Sequence, residues 1–204
     1  MRVQLFHPAT LISPGNLHTV RPTQPLGLAY IGAALRKAGH ECTVLDAIAE
    51  APTQMQPFGE LRRLGLSDEQ VLERIDPAAR VLAVSGLFSF NWPHLRETLQ
   101  KIKLRFPEKL LICGGEHFTA LPELSMRSAP IDFIVMGEGE EIAVELDDLD
   151  ARALGSNEDI ERVRLCLRSG DQFLNRARRE RRVRRDEQGQ HPGQRDGLEI
   201  LQRV

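Results

Sequence analysis

The stretch LLICGGEHFTALPE (110–123) joins an apolar run ending in Cys113 to paired glycines, Gly114 and Gly115, followed by Glu116 and His117. An apolar run bounded by glycine reads as a buried strand, the glycines as a turn, and the residues beyond them as the start of a helix. Cys, Glu and His within five residues raise the possibility of a metal site, but the local chemistry argues against one. Cys113 belongs to the strand and packs as a small hydrophobe. Adjacent Glu116 and His117 diverge, whereas zinc needs three or four converging ligands. No metal ligand is therefore expected, and His117 is expected to line a cleft or cap the following helix.

Working outward, four more runs have the same character: RVQLF (2–6), CTVLDA (42–47), RVLAVSGL (80–87) and DFIVMGEG (132–139). Helix-patterned segments lie between them. PLGLAYIGAALRKAGH (25–40) places Leu28, Ile31 and Leu35 at near-helical spacing and stops at Gly39. SDEQVLERI (67–75) opens with a Ser cap and two acids. NWPHLRETLQKIKLRF (91–106) has Asn91 at a cap position and Pro93 in its first turn. The crossover ALPELSMRS (120–128) is short, and EEIAVELDDLDARAL (140–154) supplies a fifth helix. Strands alternating with helices predict an α/β fold with a doubly wound parallel sheet. Residues 1–154 read as one Rossmann-like, flavodoxin-like unit of five strands in the order 2-1-3-4-5.

The remainder differs. Residues 155–175 read as a linker or strand pair, and 176–204 as a poorly structured tail whose first ten positions, RARRERRVRR, hold seven arginines. The arginines lack the interleaved aromatics of a single-strand nucleic-acid binder, so no nucleic-acid partner is expected. The 204 residues carry a net charge of −2 and 41% hydrophobic residues, the composition of a globular protein. No run reaches the roughly 18 apolar residues of a membrane span. Cys42, Cys113 and Cys166 are far apart and odd in number, which fits a reduced, cytoplasmic setting and no disulfide framework.

Ligands of open parallel sheets lie over the carboxyl ends of the strands, near the point where strand order reverses. The loops that converge there are HPATLISPG (7–15), SGLFSFN (85–91), GGEHFTA (114–120) and GEGE (137–140). Glycine at strand ends lets a bulky ligand approach the backbone without meeting a Cβ. The candidate cofactor-binding residues are Ser85, Gly86, Leu87, Ser89, Gly114, Gly115, His117, Thr119, Gly137, Glu138, Gly139 and Glu140. No catalytic residue is expected. Glu138, Glu140 and Glu141 open a helix, where the dipole alone favours carboxylates. A phosphoacceptor aspartate is replaced by Ser85 at the end of the third strand. The first loop has only Thr10 and Ser13 of the hydroxyls that a flavin-binding loop would use.

Four stretches, PLGLAYIGAALRKAGHECTVLDA (25–47), VSGLFSFNW (84–92), LICGGEHFTALPE (111–123) and IDFIVMGEGEE (131–141), resemble in order the N-terminal cobalamin-binding domain of cobalamin-dependent radical S-adenosylmethionine enzymes. The resemblance implies a vitamin B12 cofactor whose corrin is cradled by the strand ends and whose nucleotide tail threads along the sheet. In this likeness Ser85, Leu87 and Ser89 lie near the tail, Gly114 and Gly115 form the glycine pair after the fourth strand, and Gly137 to Glu140 form the Gly-Glu-Gly-Glu turn. The Asp-x-His-x-x-Gly pattern that supplies a cobalt-ligating histidine is missing from FHPATLISPGNLH (6–18), so no histidine ligand is expected from His7, His18 or His117. The Cys-x-x-x-Cys-x-x-Cys motif of an iron–sulfur cluster is also missing. The expectation is a cofactor module, truncated or stand-alone, that is not catalytic by itself and works with a radical S-adenosylmethionine domain or a subunit in trans. The alternative is a flavodoxin-like domain holding a nucleotide or flavin.

Overall fold

A computed structural model of the chain describes residues 1–15 and 24–140, and the backbone of 165–168. Six strands form one sheet in the order β3-β1-β6-β7-β8-β9. They are β1 (Arg2–His7), β3 (Glu41–Asp46), β6 (Val81–Ser85), β7 (Leu110–Gly114), β8 (Phe133–Met136) and β9 (Leu165–Arg168). Every pairing is parallel, so all the strands end on one edge. The five expected strands are present in the expected 2-1-3-4-5 order, and β9 extends the sheet beside β8. The contacts set Met1–Ser169 apart as one compact unit, and residues 170–204 lie outside the described residues.

A second, three-stranded antiparallel sheet was not legible in the sequence. It consists of β2 (Thr10–Ile12), β5 (Leu61–Leu64) and β4 (Met55–Phe58), in that order. Part of the segment read as an open first loop is therefore paired. Strands this short give too few alternations to register as a pattern.

The helices follow their sequence signals. Helix α1 (Leu26–Lys37) buries Leu28, Gly32 and Leu35. Gly32 lets it sit close to the sheet, since a Cβ there would lie 3.4 Å from Leu5 Cδ1. Helix α2 (Asp68–Arg74) is fixed by a reciprocal capping box, with the Ser67 hydroxyl accepting from Gln70 N and the Gln70 side chain accepting from Ser67 N. Helix α3 (Trp92–Arg105) has Pro93 in its first turn. Its expected Asn91 cap is corrected: the Asn91 side chain makes no cap bond. Asn91 Oδ1 instead accepts from Leu11 N at 2.8 Å and from the Thr10 hydroxyl at 3.3 Å, tying the loop after β6 to β2. The short fourth crossover comprises α4 (Glu116–Ala120) and α5 (Pro122–Ser128). The helix expected over 140–154 lies, apart from Glu140, outside the described residues.

Side chains alternate across a sheet, and the in-register pairs sort them onto two faces. One carries Phe6, Leu82, Val84, Leu111, Cys113 and Ile134, packed in a continuous core with Val71 of α2, Leu95, Leu99 and Ile102 of α3, Phe118 of α4 and Met126 of α5. The other carries Leu5, Ala83, Ser85, Ile112, Gly114 and Val135. Helix α1 lies over this second face. Large side chains fill most of the first face, whereas toward the strand ends the second carries Ala83, Ser85 and Gly114, which leave room there.

Candidate functional site

The cavity lies on the small-residue face and opens where the strands end. It encloses about 590 Å³, with Ala83, Ser85, Ile112, Gly114 and Val135 on the sheet side and Leu28, Ile31 and Leu35 from α1. Leu87, Gly115 and residues 137–140 complete its mouth. The lining is mainly apolar with a few polar groups, the pattern of a cofactor site.

Backbone geometry fixes the mouth. Gly86 N donates to Gly114 O at 2.8 Å, and His117 N donates to Gly86 O at 3.0 Å. Gly115 has φ +106°, and a Cβ there would approach Gly86 O to 2.8 Å. A Cβ on Gly86 would lie 2.3 Å from the Phe118 ring. The two loops interlock through glycines that leave no room for side chains. Gly137, with φ +82°, turns the chain after β8, and its N donates to Thr119 Oγ1 at 3.3 Å. Gly139 lies against α1, where a Cβ would be 3.1 Å from Ile31 Cδ1.

Of the residues singled out in the sequence, Ser85, Leu87, Gly114, Gly115, Gly137, Glu138, Gly139 and Glu140 line the cavity together. Gly86, Ser89, His117 and Thr119 are placed outside its lining. Gly86 and Thr119 brace the mouth from behind. His117 is 2% exposed and packs on Trp92, with ring centroids 4.7 Å apart. Its Nδ1 is 3.0 Å from Ser89 Oγ and its Nε2 3.2 Å from Ser125 Oγ, and burial lowers its pKa. Both ring nitrogens are thus engaged by hydroxyls. Cys113 is fully buried, and burial pushes its thiol pKa well up. Among the described residues no group of three or more His, Cys, Asp or Glu could hold a metal ion.

One polar pair at the site was missed. His7 lines the cavity, and its Nδ1 lies 3.1 Å from Asp46 Oδ1. The same carboxylate oxygen accepts from Ile48 N and Ala49 N, both at 3.0 Å. Burial raises the Asp46 pKa, but the bonds from His7, Ala49 and Ile48, with the charge of His7, outweigh it and leave the pKa below its ordinary value. The carboxylate therefore orients the imidazole, in the manner of partners behind cofactor-facing histidines. The signal was present in the expected strand order: β1 and β3 are parallel neighbours with His7 opposite Asp46.

The residues fit a bulky, largely apolar cofactor. A Cβ at Gly114 would meet nothing closer than 3.6 Å, so the floor is open where a side chain would otherwise fill it. No described helix is long and apolar enough to cross a membrane.

Known proteins place this architecture. A cytidylyl-2-hydroxyethylphosphonate methyltransferase from Streptomyces wedmorensis is 32% identical over 143 residues, 68% of this chain and 26% of that protein. An anaerobic magnesium-protoporphyrin IX monomethyl ester cyclase from a Synechocystis species is 32% identical over 155 residues, 74% of this chain and 27% of that protein. The chain thus spans about a quarter of the length of these curated relatives. The solved structure of the radical S-adenosylmethionine methyltransferase TsrM from Kitasatospora setae, with tryptophan substrate and an S-adenosylmethionine analogue bound, matches with a TM-score of 0.55 at 20% identity. That match covers 74% of this chain and 26% of that one, and shares the fold. The family described as the B12 binding domain matches residues 16–147. A parallel sheet with glycine-built strand ends, matched over most of its length by that family, makes this chain a member of the B12-binding domain family.

Proposed function

We propose that the cavity is where this chain holds cobalamin, and that the chain serves as the cofactor module of a radical S-adenosylmethionine enzyme of the methyltransferase or rearrangement type. The observation that carries this reading is the small-residue face of the sheet, open at the ends of β6, β7 and β8 behind α1. When bound, cobalamin supplies a cobalt centre able to carry a methyl group between donor and acceptor. This chain's part is to bind and orient. Ala83, Ser85 and Gly114 leave space on the sheet, Leu28, Ile31 and Leu35 exclude water from the α1 side, and His7, held by Asp46, presents an imidazole to the interior. Chemistry requires a radical S-adenosylmethionine domain or subunit, which acts on the open side. The free thiols of Cys42 and Cys113 support a reducing, cytoplasmic setting.

The test is titration of the full chain with hydroxocobalamin, followed by its visible spectrum. Gly114→Phe projects a ring into the open floor from a position with ordinary backbone angles and neighbours at 3.6 Å or beyond. We expect affinity to fall by about a hundredfold, roughly 3 kcal/mol, with little change in the thermal transition. Saturable binding of a flavin but not of hydroxocobalamin, or unchanged affinity in Gly114→Phe, would overturn the assignment.

A further inference from the structure

The loop after β6 carries Leu87, Phe88, Ser89 and Phe90, all exposed at the edge where the cavity opens. The loop is nevertheless firmly held. Asn91 ties it to β2, Gly86 bonds to β7, and Ser89 bonds to His117. The Phe88 and Phe90 rings stack at 5.3 Å with an interplanar angle of 16°. They are 52% and 56% exposed. A rigid loop presenting stacked rings and a hydroxyl is a surface prepared for contact.

The protons in the relay behind Ser89 can be traced. The Ser125 hydroxyl donates to Leu121 O at 2.8 Å. Its single proton is then used, so at 3.2 Å from His117 Nε2 it can only accept, and Nε2 carries the imidazole proton. Burial favours the neutral ring. Nδ1 is therefore an acceptor, and the Ser89 hydroxyl donates to it across 3.0 Å. The chain of bonds runs one way, from Ser89 through His117 and Ser125 to a backbone carbonyl. Ser89 is left with lone pairs and no free proton.

We infer that Ser89 is the acceptor that recognises a carboxamide N–H on the rim of cobalamin, with His117 as the positioning residue that makes it an acceptor only. This rests on the cobalamin-binding reading above. Cobalamin, a corrin bearing primary carboxamides and a nucleotide tail, is too large for a cavity of about 590 Å³ to enclose, so part of its rim lies over the loops at the mouth. Leu87 belongs to that mouth, and Ser89 follows two residues later in the same held loop, between Phe88 and Phe90 in sequence. An oxygen that can only accept matches an amide N–H and rejects a carboxylate, which also only accepts.

The test uses the full chain with cobalamin and a panel of cobalamin monocarboxylic acids, each with one rim amide hydrolysed. The wild type should bind one member of the panel at least about tenfold more weakly than cobalamin, because that change removes the donor and adds a charge. Ser89→Ala should weaken cobalamin binding about fivefold, as expected for one neutral hydrogen bond, and should abolish most of the discrimination against that member. His117→Leu should relax the same discrimination with little effect on cobalamin itself, because Ser89 regains a proton to donate. Where His117→Leu does not fold, Ser89→Ala alone decides. Equal selectivity in wild type and Ser89→Ala would overturn the inference while leaving cobalamin binding intact. Failure of the wild type to bind cobalamin itself would remove the underlying reading instead.

Discussion

The two faces of the central sheet are made from the same strands and have opposite purposes. Toward α2 and α3, Phe6, Leu82, Val84, Leu111 and Ile134 are 2% exposed or less and meet the large side chains of the helices. Toward α1, the corresponding rows include Ala83, Ser85 and Gly114, and the missing volume is the cavity. Burial on the first face supplies stability, at about 25 cal/mol per Å² of apolar surface removed from water. The second face gives up part of that burial to leave room for a ligand. The contrast teaches that a strand can be strongly apolar in sequence and still build a site, provided alternate residues are small.

That comparison can be broken from the full side. Leu99 of α3 is fully buried in the core, and Leu99→Ala should cost about 3 kcal/mol of unfolding free energy in a denaturant titration. Cobalamin affinity below the unfolding transition should be unchanged. An equal loss of affinity would mean that the faces are not independent.

The boundary between the faces gives a sharper test. Gly86 has no space for a methyl group because of the Phe118 ring, and Gly86→Ala should destabilise by about 2 kcal/mol through overpacking. In a Phe118→Leu background the same change should cost less, and a double-mutant cycle measures the coupling. Additive effects would rule out the ring as the cause.

The smallest effect concerns a buried imidazole on the full side. Burial lowers the His94 pKa from 6.5 to about 4, against the opposing charge of Asp68, while Arg63 and Lys101 lower it further. Phe58 packs edge-on against the same ring, with centroids 5.7 Å apart. The native state resists protonation more than the unfolded chain does, so this group's effect is absent above pH 6.5 and destabilises progressively as pH falls toward 4. Between pH 7 and 5.5 it should remove about 1 kcal/mol. His94→Gln should flatten the difference in slope over that window, and an unchanged slope would mean that His94 is protonated in the fold.

The features legible in the sequence were those with local causes. Ser67 caps α2 with Asp68 and Glu69 in its first turn, Gly39 ends α1 with φ +89°, and the glycines after β7 and β8 mark turns on the ligand edge. The remainder depended on partners distant in sequence. Asn91 has the residue type of a cap, but Leu11 and Thr10, 80 and 81 positions away, compete for its side chain and win. His117 looked like a cleft residue because polar residues at strand ends usually are. Its burial is made possible by Ser89 and Ser125, which satisfy both nitrogens. The antiparallel sheet escaped notice because β2 has three residues and β4 contains Pro57.

Gly86 and Gly115 have a consequence for how the protein can change over time. Each glycine occupies space that the other's backbone or a neighbouring ring needs, so neither position can drift alone. The two sites should be inherited as a unit, with tolerated variants at Gly86 accompanied by a smaller residue at Phe118. The loops around them, tied by fewer steric constraints, remain free to diversify toward different ligands.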